Sequence, residues 1–190
     1  MNLSFQVQNM LKLLKSSKTK VEISSDVKNE KYSFISDTIY ISSTDKMKQK
    51  GLEDTNPFCL KLISMYKLYF ASKQSGLLHF LLLMLTNISL IMFGMTILFR
   101  ITLGKSRGVC LLTAVAMLLG LGLEVFMENN AYKRACAHIK KNVSKIGDDD
   151  ITKENVNSVE KLVKKNKLKL IVNKELYRLI LLVVLLLLMI

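Results

Sequence analysis

At 190 residues the chain has room for one domain of ordinary size, and 50% apolar content, a mean hydropathy of +0.28, no Trp and a single Pro argue against a secreted or disordered class. Its formal net charge of +13 is uneven: residues 1–76 hold 12 basic and 7 acidic side chains, 77–128 hold 3 and 2, and 129–190 hold 13 and 6. Basic arms of this kind neutralise nucleic-acid phosphates when they stand alone. Beside long apolar runs they follow instead from the positive-inside rule and from attraction to anionic lipid headgroups, so no nucleic-acid partner is expected.

Three cysteines, Cys59, Cys110 and Cys136, share no CxxC spacing and exclude a disulfide framework. Residues 1–20 lack the apolar core of a cleavable signal peptide, which predicts a cytoplasmic N-terminus.

The first element is an amphipathic helix. Leu3, Val7, Met10, Leu11 and Leu14 share one face, with Lys12, Lys15 and Lys18 off it. That face either packs on the rest of the arm or lies in a bilayer interface. From Lys20 the period changes to two, giving short strands at Val21–Ile23, Tyr32–Ile35 and Thr38–Ser42, with Ser36 and Asp37 as a two-residue turn.

Ser43 to Thr55 read as a loop, ended by Asn56 as a helix N-cap and Pro57 in the first helical position. Phe58, Leu62, Met65 and Tyr69 repeat at helical spacing. With no later proline, this helix is expected to run through Gly76 into the apolar run that follows.

Leu77 to Phe99 are 23 residues without a charge, long enough at 1.5 Å per residue to cross a hydrocarbon core of about 30 Å. Arg100 to Arg107 form a basic loop, and Gly108 to Met127 make a second run interrupted only by Glu124. Asn87 is the strongly polar side chain near mid-depth of the first run. Its expected role is a hydrogen bond to the second helix, the alternative being a substrate or ion path. Ala116 and Gly120 form a small-xxx-small pair suited to close helix approach. Lys61, Lys67, Lys73, Lys133, Arg134, Lys140, Lys141 and Lys145 flank the hairpin, against Arg100, Lys105 and Arg107 in its loop, which places both arms in the cytoplasm.

Beyond the hairpin a helix continues over Ala131–Val143 and breaks at Gly147 and Asp148–Asp150. A second helix carries Val156, Val159, Leu162 and Val163 on one face and ends near Asn166. Leu168–Val172 is expected as a strand. Leu179–Ile190 is an apolar segment of 12 residues, short for a span, that either crosses, half-inserts or packs on the hairpin.

Catalytic signals are sparse. The two histidines are His79 and His138, Cys136 and His138 stand too close in sequence to share a helix face, and there is no phosphate loop or nucleophile elbow. One layout resembles a known family. The strand Asp37–Ser42 (DTIYIS), a helix entering the membrane, and a later helix LEVFMENNAYKRA over Leu123–Ala135 are similar in arrangement to small Firmicute membrane proteins of the zinc-metallopeptidase type. There an edge strand precedes an HExxH helix, and a Glu on a later helix supplies the third zinc ligand. At the HExxH position this chain has YKLYF, with Tyr66, Lys67 and Phe70, so both imidazoles and the general base are missing and Glu128 matches the third ligand only nominally. The resemblance therefore implies a degenerate member that binds no zinc.

The expected fold is a mainly α integral membrane protein: a polar arm over 1–56, a helix and two-span hairpin over 57–127, a basic arm over 128–175 and an apolar segment over 176–190, with small α+β cytoplasmic arms. The expected function is non-catalytic binding or scaffolding in the cell membrane. Its partners are the bilayer, anionic headgroups, and another membrane protein or a second copy; no cofactor or metal is implied. Two rival readings are a holin-like pore and an active metallopeptidase built on Glu124, Glu128 and His138.

Overall fold

The computed structural model describes residues 3–14, 20–24, 30–43, 56–103, 107–146, 151–166, 176–184 and 187. It is mostly helical, with one small sheet, and divides into two compact units. Unit 1 comprises Met1–Gln74 and Glu128–Lys167, and unit 2 comprises Ser75–Met127 and Leu168–Ile190. The expected strand at Leu168–Val172 and most of the Ser43–Thr55 and Gly147–Asp150 segments lie outside the described residues.

In unit 1, α1 (Leu3–Leu13) precedes β1 (Lys20–Ser24), β2 (Lys31–Ser33) and β3 (Thr38–Ser42), which form a sheet in the order β1-β3-β2. β1 runs parallel to β3, with Lys20 opposite Thr38, and β2 runs antiparallel to it, with Tyr32 opposite Ile39. The hairpin connection is four residues, Phe34 to Asp37, rather than the expected two. Asp37 takes φ +46°, and its carboxylate accepts a 3.0 Å hydrogen bond from the Tyr32 hydroxyl. Asp tolerates this left-handed backbone better than most residues because its short polar side chain bonds locally. β3 is the central strand, so it departs from the edge position that the family layout would give it.

α2 (Pro57–Ser72) is the core helix of this unit. Asn56 accepts hydrogen bonds from the amides of Phe58 at 2.9 Å and Cys59 at 3.2 Å, and Pro57, lacking an amide, costs the first turn nothing. The helix is buried almost all round, from Cys59 through Tyr66 and again at Leu68 and Tyr69. A helix apolar on every face needs partners on every face, and β2, β3 and α5 (Lys153–Lys165) are among them. α1 buries Val7 and Met10, so its apolar stripe is used in packing rather than laid in a bilayer interface.

The long helix α4 (Arg107–Ile146) contributes Ala131, Ala135, Cys136 and Ile139 to this core, and its helical geometry is interrupted at Asn142. Thr152 caps α5 by accepting from the Asn155 amide at 3.1 Å, and Val156 and Val159 face inward.

α2 does not continue into the apolar run. The Ser72 hydroxyl donates to the Tyr69 carbonyl at 2.7 Å, Lys73 leaves helical geometry, and α3 (Gly76–Leu103) begins afresh after Ser75, whose carbonyl accepts from the Leu78 and His79 amides. The Tyr69 carbonyl accepts from the Lys73 amide as well, at 3.2 Å, and the helix ends at Lys73 without a proline.

In unit 2, α3 and the first half of α4 supply two helices long and apolar enough to cross a membrane, the span of α3 being Gly76–Leu98. Helical backbone continues past Arg100 to Leu103, so the connection is shorter than the expected Arg100–Arg107 loop. Leu82, Leu85, Thr86, Ser89, Met92 and Thr96 are among the shielded side chains of α3, and Cys110, Thr113, Ala114, Met117 and Gly120 form the shielded stripe of α4. Gly120 is where the helices come close: a Cβ there would stand 3.6 Å from the Leu85 Cβ. The stripe passes through Gly120 but uses Thr113, Ala114 and Met117 ahead of Ala116, because the buried face advances by three and four residues.

Candidate functional site

In unit 1, α2 and α4 bring together five residues that the sequence singled out. Lys67 on α2 forms an ion pair with Glu128 on α4 at 2.8 Å, both partly exposed. Glu128 thus has a partner on α2, across the helix pair. Tyr66, fully buried, packs against His138 with ring centroids 5.3 Å apart and planes tilted by 33°, and Phe70 meets the same imidazole at 5.8 Å.

The chemistry of this cluster is muted. Burial, then the nearby charge of Lys141, pushes the His138 imidazole below its usual range, so it is neutral at pH 7, and its Nε2 is buried without a hydrogen-bond partner among the described residues. Burial raises the Tyr66 phenol to about 12. Cys136 points away from His138, as the spacing of two requires. It neighbours Tyr132 and Cys59, and desolvation raises all three, Cys59 to about 12. Thiols held so far from the thiolate form are poor nucleophiles. Among the described residues no three His, Cys, Asp or Glu side chains are grouped to hold a metal ion.

A second polar cluster escaped the sequence reading. Lys61, only 1% exposed, ion-pairs with Glu30 and donates to the Ser42 carbonyl at 2.9 Å, while the Ser64 hydroxyl donates to the other Glu30 oxygen at 2.5 Å. This ties the entry of β2 and the end of β3 to α2. Lys61 is thus removed from the flanking charges counted for orientation. The signal was available, as Lys61 and Ser64 stand three apart inside FCLKLISMY, where a solvated face would not be flanked by apolar residues on both sides. On the surface Glu160 is held below the usual carboxylate range by hydrogen bonds from Lys140 at 2.5 Å and Lys164.

In unit 2, Asn87 does not bridge the two helices. It is exposed on the side of α3 away from the shielded stripe. A polar contact between α3 and α4 is made by Thr96 and Thr113, both fully buried, their hydroxyls 3.3 Å apart. Each hydroxyl also stands within bonding distance of a carbonyl one turn back on its own helix, Met92 at 2.8 Å and Val109 at 2.7 Å. Each carries a single proton, so either donates across or back. Threonine buries a hydroxyl at lower cost than a carboxamide because its own helix satisfies it, and this explains why the threonines turn inward. Glu124 ion-pairs with Arg178. The apolar segment that begins at 176 is thereby joined to α4 at the end of the second apolar run.

The chain matches no family model, and no curated protein or solved structure matches it.

Proposed function

We propose that this chain is a multi-pass protein of the cell membrane that binds or scaffolds rather than catalyses, with its basic unit in the cytoplasm. The observation that carries the reading is the exposure of the two long helices. Of the most apolar 18-residue window, 11% is buried in α3 and 33% in α4, whereas the core helix of a water-soluble protein would be mostly buried. Leu77, Ile91, Leu98, Leu112, Leu119 and Phe126 are among the large apolar side chains left outside. Surface of that extent and character needs hydrocarbon or protein against it. The 22 basic and 13 acidic residues of unit 1 add attraction to anionic headgroups.

The non-catalytic part of the reading is supported by the Lys67–Glu128 pair. At the positions where a zinc peptidase would place a ligand helix and its third ligand, an ammonium neutralises the carboxylate, and the neighbouring imidazole packs against two aromatic rings. Kinship with the zinc-metallopeptidase type is part of this proposal, as a scaffold emptied of its metal chemistry.

The test is fractionation of cells expressing the full chain, followed by elemental analysis of the detergent-purified protein. The reading expects retention in membranes after alkaline carbonate extraction and substoichiometric zinc that is unchanged in Glu128→Ala. Release by carbonate would contradict the membrane assignment, and stoichiometric zinc lost in the variant would contradict the absence of catalysis.

A further inference from the structure

We infer that the outward face of α3 is a self-association surface, on which Asn87 of one copy pairs with Asn87 of a second copy within the bilayer. The inference rests on the membrane reading above. The face consists of Leu77, Phe80, Met84, Asn87, Ile91, Gly94 and Leu98, a succession of steps of three and four residues, and every member is exposed, Ile91 to 66%. Alternating three- and four-residue steps are the pattern of a helix seam that packs knobs into holes along its length. The shielded residues Leu82, Leu85, Ser89, Met92 and Thr96 lie on the opposite side, so packing against α4 and the seam do not compete.

Asn87 is the residue that calls for a partner. It stands at the midpoint of Gly76–Leu98, and its carboxamide makes no hydrogen bond to another described residue. In hydrocarbon neither lipid nor water satisfies it, and a polar group left so is costly. A carboxamide is both donor and acceptor, so two copies related by a twofold axis satisfy each other at the same depth. A single Asn in an apolar seam is also a known means of fixing register and oligomer state. Gly94, two turns further on, has open space where a Cβ would stand, which allows the partner backbone to come near. A different partner protein would have to offer a matching amide at mid-depth; a second copy offers it by construction.

The experiment uses the full chain in proteoliposomes, labelled for energy transfer between copies, with Asn87→Leu and Asn87→Gln compared at matched protein-to-lipid ratios. Asn87→Leu is expected to weaken association roughly 5- to 30-fold, the range of a membrane amide bond, and Asn87→Gln to retain it. A second readout is oxidative cross-linking. Ile91→Cys on the seam should give a covalent dimer, and Leu119→Cys on the exposed face of α4 should not. Undiminished transfer in Asn87→Leu, or a monomeric wild-type chain that resists carbonate extraction, would overturn the inference and leave the membrane reading intact. A chain released by carbonate would overturn both.

Discussion

Among single residues, Lys61 and Lys67 are both lysines of α2 paired with a glutamate, yet their surroundings differ. Lys61 is buried with Glu30, and removing one member strands the other charge in the core. Lys61→Met is therefore expected to destabilise unit 1 by about 3–5 kcal/mol, measured by denaturant titration of the full chain in detergent. Lys67→Met opens a pair that water already reaches and should cost no more than about 1 kcal/mol. Equal losses in the two variants would mean that burial is not what distinguishes them. The titrating groups give a pH dependence of definite sign. His138 has a folded pKa below its usual 6.5, so the unfolded chain takes up the proton first and stability falls as pH drops below that value. Glu160, also depressed, adds a further loss as pH falls below its usual 4.5 toward its folded pKa. His138→Phe should flatten the melting temperature between about pH 7 and 5 while leaving the lower-pH loss in place. A slope unchanged in that window would assign it to other groups.

At the scale of elements, legibility followed how local the cause was. The start of α2 was legible because Asn56 and Pro57 act within their own turn, and Asn56→Ala should cost about 1 kcal/mol in the same titration. The end of α2 was not, because no proline or glycine stands at residues 72–75, where the chain leaves helical geometry. The two apolar helices were legible from length and charge alone. Which of their polar residues would face inward was not: Asn87 and the two threonines all lie on apolar runs, and the choice depends on the helix-helix contact. The pairing of Lys67 with Glu128 joins residues 61 apart and has no local signature; the family layout put both positions at one zinc site, not in an ion pair. Thr113→Val, which keeps the shape and removes the hydroxyl, is expected to leave the α3–α4 packing within about 1 kcal/mol, since each threonine also has its own helix carbonyl. A loss of several kcal/mol would show that the cross-helix bond dominates.

For the whole molecule, one chain carries two environments. Unit 1 buries a conventional core of Met10, Ile39, Leu62, Tyr66, Ile139 and Val156 beneath charged surface, and unit 2 turns its largest apolar side chains outward. A protein in water would have the second pattern nowhere at this extent. The sequence carries no Trp, so a single introduced tryptophan reports its surroundings without background. The most direct measurement is tryptophan fluorescence of Leu112→Trp and Lys161→Trp in the full chain, reconstituted in vesicles containing lipids brominated along the acyl chain. Blue-shifted emission quenched by the brominated chains in Leu112→Trp, with solvent-like and unquenched emission in Lys161→Trp, is the result expected of a membrane-embedded unit 2 and a water-facing α5. Solvent-like, unquenched emission from Leu112→Trp would contradict it.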